Sequence, residues 1–155
     1  MKKISVLLLA TFILIGCANN NQANDKSSKN GLVWHTNVEK AIEIGKKENK
    51  PVLVQFSGSD WCKWCIKLNN EVLDTKGFAN FAKDNLVLVN LDFPHAPQTD
   101  FVKNYNRMQM NKYGVQGFPT VLLLDKTGKL VFQTGYQPGG PVAYIQHIKA
   151  AYGIK

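Results

Sequence analysis

The hydrophobic pattern divides the chain into a front part built of blocks and a long remainder built of short periods. Lys2 and Lys3 precede an apolar run over residues 4–15, broken only by Ser5 and Thr11, and Gly16 and Cys17 follow. Residues 18–31 are almost all small or polar. After residue 32, Thr36 or Asn37 offers a helix cap before Val38, Ala41, Ile42 and Ile44, a stretch that ends in the lysines before Pro51. Residues 52–56 read as a short buried strand. A helix opening at Asp60-Trp61-Cys62 is expected to run through Ile66, Leu68 and Val72, with a second short one around Phe78, Phe81 and Ala82. Residues 86–91 are nearly continuously apolar, as a central parallel strand buried on both faces requires. Thr99 caps a helix whose apolar side would hold Phe101, Val102, Tyr105 and Met108. Residues 121–124 and 130–132 flank the turn Asp125-Lys126-Thr127-Gly128 and predict an antiparallel hairpin, and Pro141 opens a last helix to about Tyr152. The succession predicts an α/β domain with a central mixed β-sheet flanked by helices.

Composition agrees with one folded unit. Of 155 residues, 45% are hydrophobic and 19% charged, which excludes disorder for the bulk of the chain. No segment supplies the roughly 20 apolar residues of a membrane-spanning helix. The front block instead has the charged start and short apolar core of a secretory leader. Its ending, Leu14-Ile15-Gly16-Cys17, resembles the lipobox of bacterial lipoproteins, in which cleavage precedes a cysteine that carries lipid. The expected division is a leader over residues 1–16, a lipidated Cys17 with a flexible tether over 17–31, and one domain over 32–155. That makes the protein exported and anchored to a bacterial membrane, facing the periplasm or the cell exterior, rather than spanning the bilayer. The formal charge of +8 comes almost wholly from scattered lysines, Arg107 being the one arginine. This distribution favours solubility and attraction to anionic headgroups over nucleic-acid binding, which calls for a clustered basic face.

The chemistry is concentrated in Cys62-Lys63-Trp64-Cys65. Cysteines three apart on a helix share a face and lie within reach of a disulfide. At a helix start the free backbone N–H groups and the dipole stabilise a thiolate, and Lys63 adds a positive charge beside Cys62. Cys62 is therefore the expected nucleophile and Cys65 the resolving thiol. Trp64, between the two, is expected to be exposed and to contact substrate, and Trp61 to pack in the core.

Here the sequence resembles the thioredoxin family, over about residues 32–155. The resemblance rests on Trp61-Cys62-Lys63-Trp64-Cys65 after an apolar strand and on Tyr113-Gly114-Val115-Gln116-Gly117-Phe118-Pro119-Thr120 before another. It implies the thioredoxin fold, a cis Pro119 beside the cysteines, and pairing of the Phe118 backbone with an extended substrate segment. It also implies thiol–disulfide exchange with no cofactor beyond the redox-active Cys62–Cys65 disulfide. Expected partners are exported protein thiols or disulfides, a membrane redox partner that resets the pair, and the bilayer through Cys17, with a slight preference for the reductive direction. The chain also departs from the family. Gln55 stands where thioredoxins carry a buried acid, with Asp60 as a conceivable substitute whose position argues for a cap. The 57–60 connection is one residue longer, and the segment 93–112 is long enough to form a rim over the site.

Two other readings of the cysteine pair compete with this one. A zinc site usually needs four ligands, but the third cysteine, Cys17, is spent on lipid, no second pair exists, and His35, His95 and His147 are far apart in sequence. A thioredoxin-fold copper carrier would use the pair with His95, Met108 and Met110, soft ligands suited to Cu(I). Copper carriers of this kind space their cysteines more widely, and Met108 and Met110 do not share a helix face.

Overall fold

The structure is a computed structural model that describes residues 26–27 and 30–153; the leader, Cys17 and most of the tether lie outside the described residues. Its strands are β1 (Lys26–Ser27), β2 (Val33–His35), β3 (Val52–Ser57), β4 (Val87–Asp92), β5 (Thr120–Leu124) and β6 (Leu130–Thr134). The helices are α1 (Val38–Glu48), α2 (Lys63–Leu68), α3 (Lys76–Asn85), α4 (Asp100–Lys112) and α5 (Gly140–Tyr152), with a π-helical turn over Asn69–Leu73 directly after α2. The strands form one sheet in the order β1-β2-β4-β3-β5-β6. β4 runs parallel to both β2 and β3, and β5 lies antiparallel to β3 and β6, so the sheet is mixed as expected.

Every residue of β3 is buried. Its side chains alternate between two cores, because successive residues of a strand point to opposite faces. Leu53 joins Leu68, Val72, Leu73, Phe78 and Tyr144 on one face, and Val54 and Phe56 join Val38, Ala41 and Leu91 on the other. Asn37 caps α1 by accepting the Lys40 N–H, and Thr99 caps α4 by accepting that of Val102. α1 stops at Asn49, which takes a left-handed conformation. Gly45 permits this exit, because a Cβ there would stand 2.6 Å from the Lys50 carbonyl oxygen.

Three local expectations fail. Lys26–Ser27, inside the segment read as a free tether, pairs antiparallel with β2, itself a three-residue strand too short to leave a periodic signal. The helix expected to run unbroken from Asp60 to Val72 begins only at Lys63 and widens at Asn69, whose N–H reaches the carbonyls of both Cys65 and Ile66. The side expected to be apolar on α4 faces outward: Phe101 is 80% exposed and Val102 and Met108 are exposed, whereas Asn106 and Gln109 are buried.

That inversion has a polar cause. α4 docks on α1 through Glu39, whose carboxylate accepts hydrogen bonds from Tyr105 at 2.6 Å and Gln109 at 2.8 Å, with the Lys112 ammonium 3.8 Å away. The Tyr105 hydroxyl also accepts the Val38 N–H at 2.7 Å, a helix-start donor that has no partner within its own helix. On the other edge of α4, Asn106 donates to the Asp92 carbonyl.

Tyr105→Phe removes both bonds of the hydroxyl and should lower stability by about 1–3 kcal/mol in urea unfolding. Glu39 gives a pH signature. Partial burial pulls its pKa up, but the Tyr105 and Gln109 hydrogen bonds and the charge of Lys112 prevail and hold it below the usual 4.5. A lowered folded pKa contributes stability above the unfolded value, which is lost as pH falls through the folded one. The stability difference between the wild type and Glu39→Gln should therefore shrink between about pH 6 and about pH 3. A constant difference would show that Glu39 contributes no charge-dependent stability.

Candidate redox site

The site gathers at the end of the sheet where β3 and β4 finish and β5 begins. Phe56 is paired with Thr120, so Pro119 lies one residue beyond, level with the end of β3. The Phe118–Pro119 bond is cis. Cys62 follows β3 by five residues and forms a disulfide with Cys65. Cys62 itself caps α2, its Sγ accepting the Cys65 N–H at 3.2 Å. Asp60, a cap candidate in the sequence, does not take that place. The two cysteines differ in burial: Cys62 is 7% exposed and Cys65 is fully buried. Lys63 and Trp64 are exposed, Trp64 by 57%.

A dense set of hydrogen bonds ties the loop before Cys62 to the segment after β4. Ser59 donates its N–H and its hydroxyl to the two oxygens of Asp92 at 2.9 and 2.6 Å. Asp60 accepts the backbone N–H groups of His95 and Ala96, which together hold its carboxyl below the ordinary pKa. The Trp61 indole N–H donates to the Phe93 carbonyl at 2.8 Å, and the Phe93 N–H to Ser57. Gly58 makes room for this arrangement, since a Cβ there would collide with the Trp61 ring at 2.4 Å.

Trp61 is therefore no core residue. It is 42% exposed and stacks on His95 with ring centroids 5.4 Å apart, while Phe118 meets it edge-on at 6.0 Å and packs on Phe93 at 4.9 Å. These rings make one wall beside the cysteines. On another side Trp64 lies 5.3 Å from Tyr136, with the Lys67 ammonium over both rings and Glu71 accepting the Tyr136 hydroxyl. That hydrogen bond raises the Tyr136 pKa and keeps the phenol protonated. Tyr136 escaped the sequence reading as a wall residue because it belongs to a connection that only the sheet topology brings to the cysteines, whereas Phe93 and His95 lie in the segment expected as a rim. The rim expected from segment 93–112 is confined to its first residues, since α4 packs against α1.

Gln55 is buried on β3 and donates its amide to Asn69 Oδ1, in the turn after α2, at 2.9 Å. The soft-metal set does not assemble: Met110 packs on the core with Val38 and Val115 while Met108 is exposed, and among the described residues no three His, Cys, Asp or Glu side chains converge.

Comparison with known proteins agrees with this geometry. The profile of the thioredoxin-like domain matches residues 38–148. The chain is 37% identical to the disulfide bond reductase DsbH of Chlamydia pneumoniae over 127 residues, 80% of this chain and 75% of that protein. It is 28% identical to the thioredoxin-related protein DsbJ of the same organism over 87% of this chain and 38% of that longer protein. A solved DsbH oxidoreductase superposes with a TM-score of 0.76 at 34% identity, covering 88% of this chain and 94% of that one. Thioredoxin from Thermus thermophilus shares the fold, at a TM-score of 0.58 and 17% identity over 78% of this chain and 87% of its own. The chain belongs to the thioredoxin-like family, and it is a thiol–disulfide oxidoreductase.

Proposed function

We propose that the protein is a lipid-anchored reductase that transfers electrons from the Cys62–Cys65 dithiol to disulfides of exported proteins. The observation that carries this reading is the unequal burial of the two cysteines at a helix start: Cys62 keeps a small exposure and Cys65 has none. In the reduced protein Cys62 attacks as the thiolate, favoured by the N–H of Cys65 and by Lys63 next to it. A mixed disulfide forms, and Cys65 then attacks Cys62 Sγ and releases the substrate as a thiol. Electrons pass through sulfur alone, so no cofactor enters, and a redox partner in the membrane restores the dithiol.

Trp64, Phe118 and Pro119 form the substrate surface in this reading. The backbone of Phe118 lies on the chain entering β5 and would pair with an extended segment, as in strand addition, while the Trp61 and Trp64 walls take side chains on either side. Similarity to a protein named disulfide bond reductase supports the reductive direction. Export and anchoring rest on the leader pattern and on Cys17, which would carry the lipid. The scattered lysines give no surface for nucleic acid.

Cys62→Ser should abolish insulin reduction, and Cys65→Ser should accumulate mixed disulfides visible on non-reducing gels; full activity in Cys62→Ser overturns the assignment. Equilibration with glutathione gives the direction. A potential near about −270 mV marks a reductant, whereas one near about −120 mV marks an oxidant and removes the reductase reading. Trp64→Ala should raise KM for a protein disulfide several-fold, and leave the reaction with dithiothreitol unchanged.

A further inference from the structure

Lysines that are far apart in the sequence meet at one pole of the domain. β3 and β4 start, and β5 ends, at the end of the sheet away from the cysteines. α1 delivers Lys46 and Lys47 there in its last turn, and Lys50 follows just before β3. The Lys50 ammonium donates to the Lys83 carbonyl at 3.2 Å, which brings the end of α3 alongside. The turn between β5 and β6 completes the group. Lys126 donates to Asn49 Oδ1 at 2.7 Å, and a Cβ on Gly128 would stand 2.7 Å from Cδ1 of Ile42 in α1. Lys46, Lys47, Lys83, Lys126 and Lys129 are exposed and Lys50 is half-buried.

Segments 46–50, 83–85 and 125–129 hold six lysines against the three acids Glu48, Asp84 and Asp125, a net +3. The segments around the redox pair, 57–65, 92–96, 116–119 and 135–138, hold Lys63 against Asp60 and Asp92, a net −1. Helix C-termini attract cations, which accounts for the lysines in the last turns of α1 and α3. Lys126 and Lys129 lie in a strand connection and have no such reason to be there. The front of the chain joins the sheet near the same pole. Lys26 is level with Trp34, and through it with Leu88 and Leu53, the second residues of β4 and β3. The nine peptide units from Cys17 to Lys26 reach at most about 30 Å, enough for either end of the domain to meet a bilayer. Charge then decides which end does.

We propose that this lysine pole docks on anionic lipid headgroups of the membrane that holds the Cys17 anchor, so that the cysteine pair faces away from the bilayer. This rests on the anchored reading above and adds to it an orientation. Each lysine near an anionic surface favours docking roughly fivefold, and the leash keeps that surface at hand, so a weak attraction suffices. The patch contains no arginine, whose fork suits nucleic-acid phosphates; the compact charge of lysine suits mobile headgroups that impose no fixed geometry. In the docked pose the Trp61 and Trp64 walls are open to soluble exported proteins. A redox partner in the membrane then meets the pair through a part that projects from the bilayer.

The test uses the chain from residue 18 onward, which keeps every described residue and carries no lipid. It is mixed at low salt with vesicles of phosphatidylcholine alone or with an equal part of phosphatidylglycerol. Sedimentation should show binding to the anionic vesicles only, lost at about 0.5 M salt. Lys46→Gln, Lys47→Gln and Lys129→Gln together should weaken it at least about tenfold. Lys76→Gln, Lys103→Gln and Arg107→Gln together remove the same charge from outside the pole and should weaken it much less. All six positions are exposed, so neither variant should unfold. Acetylation of the amines, mapped by mass spectrometry, should be slowed by the anionic vesicles at Lys46, Lys47 and Lys126 and not at Lys63 or Lys67. Absence of binding to anionic vesicles, equal binding to neutral ones, equal weakening by the two triple variants, or equal shielding of Lys63 each overturns the proposal. The mass of the full chain expressed in a bacterium reads the anchor separately: a Cys17 without lipid defeats the anchored reading and leaves the vesicle result standing.

Discussion

The direction of β3 relative to its two neighbours governs the rest of the molecule. β3 is parallel to β4 and antiparallel to β5, so the ends of the first two and the start of the third fall at one edge of the sheet. That arrangement places the Cys62 loop, the 93–96 segment and the Phe118–Pro119 bond side by side, although up to about sixty residues separate them in the chain. The burial of all of β3 makes the placement rigid, because a shift of register by one residue would exchange the two cores.

On this frame the site is held by polar bonds more than by packing. Asp92, Asp60 and the Phe93 carbonyl each draw the cysteine loop toward the end of β4. The aromatic walls, Trp61 tied to this network by its indole N–H, remain half exposed, which suits side chains that meet a variable substrate. The stable interior and the adaptable surface are thus separated by little more than the disulfide.

Much of this was legible from the residues. Asn37 and Thr99 announce their helices because a cap acts through a local hydrogen bond, and the hairpin at Asp125 is visible because its turn chemistry is local too: Asp125 accepts the N–H groups of Thr127 and Lys129. The cysteine pair stood out by spacing alone. What escaped depends on partners distant in sequence. α4 buries Asn106 and Gln109 rather than Phe101 because Glu39 of α1 and the Asp92 carbonyl draw its amides inward, and no periodicity within α4 records that. Trp61 looked like core because large apolar residues usually are, yet its indole N–H is claimed by Phe93, thirty-two residues away. The widening of the helix at Asn69 likewise accompanies a bond to Gln55 on another element.

The two-residue strand at the sheet edge fixes where the front of the chain leaves the domain. β1 runs opposite to β2, and Lys26 is paired with Trp34, which stands level with Leu88 of β4 and so with Leu53 of β3. The redox pair follows Ser57, four residues further along β3 and three strands across the sheet. A lipid on Cys17, as proposed above, would then act as a leash of nine peptide units, at most about 30 Å long, fastened at the edge of the sheet. Such a leash would keep the domain within about that distance of the bilayer, within reach of a redox partner embedded there.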